Sequence, residues 1–89
     1  MYLHLGQETV VPMREIVGIF DMENTTISKS TRSFLNEATL KGRVVTVGDD
    51  LPKSFIVCQK GDEAPTVYIS QISPATLLKR AEAFRQKGE

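Results

Sequence analysis

The sequence predicts an α+β domain: a small antiparallel sheet of about six short strands with two helices, in the order β-β-β-α-β-β-β-α. Short apolar runs separated by turn residues indicate the strands. The apolar spacing changes to a helical period after a polar break at 22–26, and a helix start signal, "SPATLL", begins at Ser73. Eighty-nine residues suit one domain, 1–89, with one modest core.

The N-terminal third reads as three strands. "MYLHL" and "TVVP" flank a turn that starts at Gly6, which predicts a hairpin. The segment "REIVGIFDM" is the third strand, and its almost unbroken apolar run suits burial on both faces or a subunit contact. Gly18 interrupts this run, and a glycine inside a strand often marks a bulge or a close approach of another backbone.

The first helix is predicted at 27–41. Apolar or small residues recur there on one helical face, namely Ile27, Thr31, Phe34, Leu35 and Ala38. Thr26 or Ser28 is the expected N-cap, because its hydroxyl can accept a hydrogen bond from a free N–H of the first turn. Gly42 is the expected stop.

Three more strands follow in series, "RVVTVG", "SFIVCQ" and "TVYISQI", with polar turns between them. We expect these strands to form an antiparallel meander. The turn after the strand "RVVTVG" contains the residues "GDDLPK". It combines a glycine, two acids and a lysine.

The second helix is predicted at 74–87. Ser73 is the expected N-cap, and Pro74 suits the first helical position because its fixed φ is pre-set for a helix. Ile72 can pack on Leu77 in a hydrophobic staple, and Gly88 ends the helix. The apolar stripe consists of Leu77, Leu78, Ala81 and Phe84.

Composition excludes several classes of protein. Eleven basic residues balance eleven acidic residues, so the chain lacks the basic excess typical of a free-standing nucleic-acid binder. The single cysteine, Cys58, cannot form an internal disulfide. No apolar stretch approaches the ~20 residues of a membrane span, and the N-terminus does not resemble a signal peptide. The sequence therefore predicts a soluble, cytoplasmic protein.

No pattern indicates catalysis. His4 has no partner at metal-ligand spacing. Gly42 and Gly48 bracket a strand and so do not form a phosphate loop, and the serines lack a signature of activation. We expect no enzyme activity, catalytic residue, metal, cofactor or small-molecule substrate.

Basic residues near the predicted turns allow two interpretations. Arg14 is the only lysine or arginine in the first 28 residues, and Lys41 and Arg43 flank the predicted end of the first helix. These charges either contact phosphates or keep a strand edge soluble and complement a helix dipole. The same alternatives hold for the cations of the second helix, namely Lys79, Arg80, Arg85 and Lys87.

The segment "HLGQETVVPMREIVGIFDME" resembles the extracellular matrix regulatory protein family, and its RemB-like branch in particular. The later segments "LPKSFIV" and "ISPATLLKRA" agree, so that the resemblance spans nearly the whole chain. It implies a small bacterial protein. The RemA-like members are DNA-binding regulators of biofilm matrix genes that assemble into rings and hold DNA on the ring surface with arginines.

The resemblance places the DNA-contacting arginines just before the third strand and directly after the glycine that ends the fourth. The first place falls on or next to Arg14. At the second place this chain has Asp49 and Asp50, and two carboxylates repel phosphates. Lys53 matches a further basic position of the DNA-binding members.

The prediction is a regulator that binds double-stranded DNA as a ring-like homo-oligomer, through Arg14, Lys53, Arg43 and Lys41. The alternative is a regulatory or scaffolding protein-interaction module that has lost DNA binding. The acidic pair in the turn and the net charge of zero favour this alternative.

Overall fold

The computed structural model describes residues 1–22 and 28–87, and it confirms the α+β class and the order of elements. The elements are β1 (Tyr2–Gly6), β2 (Thr9–Pro12), a 3₁₀ turn (Met13–Glu15), β3 (Ile16–Asp21), α1 (Lys29–Leu40), β4 (Val44–Val47), β5 (Ser54–Cys58), β6 (Thr66–Ser70) and α2 (Pro74–Lys87).

The strands form two sheets. β1 and β2 pair as a hairpin, and the other four strands form a sheet in the order β3-β5-β6-β4. The expected meander of β4, β5 and β6 is wrong, because β4 pairs with β6 in parallel and not with β5. The reason is burial. Four of the five residues of β5 are buried, which suits a central strand, whereas Val45 and Thr46 of β4 are exposed and suit an edge.

Both faces of the four-stranded sheet are covered, each by a different element. On one face, the hairpin and α2 enclose a cluster of buried side chains, namely Leu3, Leu5, Val11, Ile56, Cys58 and Leu77. On the other face, α1 packs over a smaller cluster of Ala38, Phe55 and Val67, with Phe34 and Leu35 against it. The hairpin is therefore part of the core and not an appendage.

The helix boundaries follow the capping residues. The Oγ of Ser28 accepts the Thr31 N–H at 3.1 Å, which confirms one of the two expected caps. Gly42, at φ +70°, ends α1: its N–H donates to Thr39 O at 3.1 Å, and the Arg43 N–H donates to Ala38 O at 2.8 Å. This pair of bonds is the Schellman arrangement. The predicted helix positions Thr26 and Ile27 lie outside the described residues.

α2 begins as predicted. The Ser73 Oγ accepts the Thr76 N–H at 3.2 Å, and Leu77 is fully buried in the same cluster against which Ile72 packs. The side chain of Phe84 and the predicted stop at Gly88 lie outside the described part. None of the described helices is long and apolar enough to span a bilayer.

β3 is the edge strand beside β5, and it contains a bulge. The register shifts between Ile16 and Gly18, as the interrupting glycine predicted. Val17 is 65% exposed and Phe20 is 43% exposed. Burial of this strand on both faces within one subunit is therefore wrong, and the alternative, a subunit contact, stays a prediction.

Buried serine hydroxyls join the hairpin to the sheet. Ser70 Oγ donates to Leu5 O at 2.6 Å and accepts the Ile72 N–H at 3.0 Å, while Ser54 Oγ donates to Ile72 O at 2.8 Å. Both serines are fully buried. These bonds satisfy polar groups that water cannot reach, so they fix where β1 and the start of α2 lie on the sheet.

Replacing Ser70→Ala is expected to lower the free energy of unfolding by about 1–3 kcal/mol, because it leaves the buried Leu5 carbonyl and Ile72 amide without their partner. Urea denaturation measures this change. Ser33→Ala on the exposed side of α1 is the control and is expected to change stability by less than about 0.5 kcal/mol. An equal effect of the two substitutions would contradict the role of the Ser70 hydroxyl.

Candidate nucleic-acid interface

The four-stranded sheet has two chemically different ends. The Arg14 end is the end of the sheet at which β3 and β4 begin and β5 finishes. The Lys53 end is the end of the sheet at which β3 and β4 finish and β5 begins. The strand registers define this division, because Ile16 lies opposite Cys58 and Asp21 lies opposite Ser54.

Arg14 lies in the 3₁₀ turn between β2 and β3, with its side chain exposed. Pro12 closes β2 just before it, and the Gln59 N–H donates to Glu15 O at 2.8 Å just after it. The backbone of the turn is thus tied to the end of β5. This anchoring holds the backbone from which the exposed Arg14 side chain extends.

Lys53 lies at the opposite end of the sheet. Its N–H donates to Ser70 O at 2.8 Å, and its carbonyl accepts the Met22 N–H at 2.9 Å, so its backbone bridges β3 and β6. Its side chain is exposed. β3 spans six residues, so its two ends lie about 17 Å apart at ~3.3 Å per residue. One subunit therefore does not bring Arg14 and Lys53 together.

The loop 48–53 is held by Gln71, a side chain that sequence reasoning missed. Gln71 Oε1 accepts the Asp50 N–H at 3.0 Å. Gly48, at φ +88°, lies so close to Gln71 that a Cβ there would meet the Gln71 amide at 2.6 Å. Gln71 directly follows β6, and its only signal in the sequence is a polar residue at the end of a strand. The contact joins residues 21 positions apart, which no local pattern reveals.

The two acids of the loop differ in their surroundings. Asp50 Oδ1 accepts the Leu51 N–H at 3.2 Å, so this carboxylate helps to shape the turn. Asp49 and Asp50 are both exposed and lie in the same loop as Lys53. The loop therefore carries a net negative charge, which opposes a phosphate contact by Lys53.

Lys41 and Arg43 lie at the Arg14 end, beside β4 at the other edge of the sheet. Lys41 Nζ forms an ion pair with Glu37 Oε1 at 2.8 Å on the surface of α1. The hydrogen bond and charge of Lys41, followed by the charge of Arg43, lower the pKa of Glu37. This exposed carboxylate remains ionised at neutral pH and offsets both cations, so they are weaker candidates for phosphate contacts than Arg14.

Arg80 has a structural role. Its Nη1 donates to His4 O at 3.1 Å, which ties α2 to β1. Lys79 is exposed on the same helix, and the side chains of Arg85 and Lys87 lie outside the described part. The structure thus favours a structural role for Arg80 over a phosphate contact. Lys79 is a solvent-exposed charge on the surface of α2.

The remaining groups that could take part in chemistry are His4, which is hydrogen-bonded, and Cys58, whose thiol is protonated. The ring Nε2–H of His4 donates to Gln7 O at 2.6 Å and closes the hairpin turn. Burial, followed by the charge of Glu15, raises the pKa of the Cys58 thiol to about 11, so the thiol stays protonated, and hence weakly nucleophilic, at neutral pH. No cluster of potential metal ligands occurs in the described ranges.

Comparison with known proteins identifies a family. The family model described as RemA-like, extracellular matrix regulatory protein A-like, matches residues 2–81. The chain is also 39% identical over 82 residues to extracellular matrix regulatory protein B of Bacillus subtilis (strain 168). That alignment covers 92% of this chain and 91% of the relative. These matches confirm the resemblance drawn from the sequence.

The contact between Gly48 and Gln71 is testable by a double-mutant cycle. Gly48→Ala strains a positive φ and also pushes the Gln71 amide away from the Asp50 N–H, so it should destabilise the fold by about 1–3 kcal/mol. In a Gln71→Ala background only the backbone strain remains, and the destabilisation should be smaller.

Urea denaturation of the four proteins of this cycle gives the coupling energy. Gly61→Ala is the control, since Gly61 has φ +56° and no atom within 4 Å of an added Cβ. It carries the backbone strain alone, and its destabilisation should match that of Gly48→Ala in the Gln71→Ala background. Strict additivity of Gly48→Ala and Gln71→Ala would contradict the contact.

Proposed function

The chain belongs to the RemA-like family of extracellular matrix regulatory proteins, and from this premise we propose that it regulates biofilm matrix genes as a ring-like homo-oligomer on double-stranded DNA. We place it in the bacterial cytoplasm and assign it no enzymatic activity. The observation that carries the proposal is the exposed Arg14 in the turn before β3, on or next to which the resemblance places a DNA contact.

A ring is the arrangement that makes such a surface useful. Arg14 and Lys53 lie at opposite ends of the sheet, and the two ends of the six-residue strand β3 are about 17 Å apart, so one subunit offers separate cations and not a basic patch. A few phosphate contacts bind weakly at physiological salt. Repetition of the contact around a ring raises avidity by about 10²–10⁴-fold.

The expected mode is contact with the DNA backbone and shape, not with base edges. α1 packs on one face of the sheet through Phe34 and Leu35, and α2 packs on the other through Leu77. Neither described helix projects from the domain in the way that a recognition helix enters the major groove. Phosphate contacts alone fix position and carry no direct sequence information.

The acidic loop weakens this binding. The chain carries no net charge, and Asp49 and Asp50 lie beside Lys53 in a loop held by Gln71. We therefore propose weaker binding than in relatives with a basic loop. The same observation favours the second candidate, a regulatory or scaffolding module that binds another protein. Lys41 and Arg43 make a minor contribution in the DNA-bound form.

A salt series on duplex DNA separates the two candidates. The DNA-binding function predicts measurable affinity at ~50 mM salt that falls steeply as salt rises. Arg14→Ala and Lys53→Ala should each weaken binding uniformly across sequences and lower the salt slope by about 1 for each phosphate contact removed. Lys79→Ala on α2 is the control and should bind as the original protein does.

Absence of binding at ~50 mM salt by a protein of intact oligomeric mass would favour the protein-interaction module. Equal losses of affinity in the Arg14, Lys53 and Lys79 variants would mean that net charge, and not a defined surface, governs the affinity.

Asp49→Arg is expected to strengthen duplex binding at low salt, because it replaces a repulsive charge with an attractive one in every copy of the loop. Asp49 is preferred to Asp50, whose carboxylate supports the turn. Fluorescence anisotropy measures the affinity. Asp62→Arg, in the exposed turn between β5 and β6, makes the same charge change at the other end of the sheet. A gain from Asp62→Arg without a gain from Asp49→Arg would show that the loop does not face DNA.

A further inference from the structure

The structure contains a small pocket beside the end of α1 that the proposed DNA contacts of Arg14 and Lys53 do not use. We propose that this pocket binds a small organic carboxylate, a monoanion whose apolar body contacts the pocket floor and whose carboxylate accepts hydrogen bonds from Arg43. The inference gives Arg43 a role beyond a minor contribution to DNA binding, and it does not depend on the oligomeric state.

The pocket lies where three parts of the fold meet. It is bounded by the C-terminal half of α1, by the residue before β4 and by the residue before β6, and its volume is about 160 Å³. The described lining consists of Phe34, Glu37, Ala38, Lys41, Arg43 and Pro65. Sites for drug-sized ligands start at about 300 Å³, so this pocket suits a smaller molecule.

One part of the lining is apolar and held in place by the core. Ala38 belongs to the buried cluster with Phe55 and Val67, and Phe34 packs against that cluster. Pro65 is half-buried and directly precedes β6, and its ring limits the backbone there. A bound molecule therefore meets carbon atoms on this side, and an apolar group gains free energy by leaving water for such a surface.

Arg43 supplies a cation to the pocket from an anchored backbone. Its N–H donates to Ala38 O at 2.8 Å, and its carbonyl accepts the Val67 N–H at 2.9 Å. The residue is half-buried, yet within the described part of the chain its side chain donates no hydrogen bond and forms no ion pair. A guanidinium carries its donors in a planar fork that matches the two oxygens of a carboxylate. These donors are therefore available to a ligand.

The charges of the lining favour a ligand with a single negative charge. Lys41 Nζ and Glu37 Oε1 form an ion pair at 2.8 Å and offset each other. The hydrogen bond and charge of Lys41, and then the charge of Arg43, lower the pKa of Glu37, so the Arg43 charge acts within this pocket. With the ion pair intact, the charge of Arg43 is the one left over, and it matches a monoanion.

Benzoate is a suitable probe, because it joins a carboxylate to a small apolar ring. Saturation-transfer NMR observes the ligand and detects its binding to the protein at any oligomeric mass, and a titration should give a dissociation constant on the order of 1 mM. Benzamide has nearly the same shape without the charge and should bind about tenfold more weakly. Equal affinity for benzoate and benzamide, or no binding of benzoate, would overturn the proposal.

Two substitutions with opposite expected effects locate the site. Arg43→Gln removes the cation and should weaken benzoate binding about tenfold. Glu37→Gln removes the carboxylate of the ion pair and so leaves the charge of Lys41 without an offset, which should strengthen binding about threefold. Arg32→Gln and Glu82→Gln are the matched controls, because both residues are exposed and neither lines the pocket. Neither control should change the affinity.

The controls separate binding in this pocket from attraction by net charge and from a DNA contact. Unchanged affinity in Arg43→Gln, or equal losses in Arg43→Gln and Arg32→Gln, would overturn the site. Should Arg43→Gln not fold by circular dichroism, Glu37→Gln still decides, since weaker binding by that variant contradicts the proposal. Dimethyl phosphate mimics a DNA phosphodiester and should bind more weakly than benzoate. Tighter binding of dimethyl phosphate would mark the pocket as a DNA contact instead.

Discussion

The hydrogen bonds at Ser70 hold together the hairpin, the loop that carries Lys53 and the start of α2. The buried hydroxyl joins β1 to the sheet through Leu5 and also binds the Ile72 amide, while the Ser70 carbonyl accepts the Lys53 N–H. Gln71 stands between these anchored positions, and its side chain sets the loop at Asp50. Because the bonds are buried and directional, the hairpin, the loop and the start of α2 keep one relative position.

The charges are arranged on this frame as separate groups. Arg14 lies at one end of the sheet, Lys53 lies among acids at the other, and Lys41 is paired with Glu37. A subunit of this kind has little affinity for a polyanion by itself. In the proposed ring, affinity for DNA would come from repetition of these cations, so assembly would matter as much as the cations themselves.

The features that depend on neighbouring residues were predictable from the sequence. The caps at Ser28 and Ser73, the stop at Gly42 and the bulge at Gly18 follow from local chemistry, and the order of elements follows from apolar spacing. The parallel pairing of β4 with β6 was not predictable, because strand order depends on burial across the whole sheet. The contact of Gln71 with the loop is equally non-local, as is the separation of Arg14 from Lys53.

The two edge strands run in the same direction, since β3 is antiparallel to β5, β5 is antiparallel to β6, and β6 is parallel to β4. Within one subunit, Arg14 therefore lies where both edge strands begin, and the acidic loop lies where both edge strands finish. An assembly that keeps its subunits in the same orientation would therefore carry Arg14 on one side and the acidic loop on the other, and DNA in contact with both Arg14 and Lys53 would have to reach both sides.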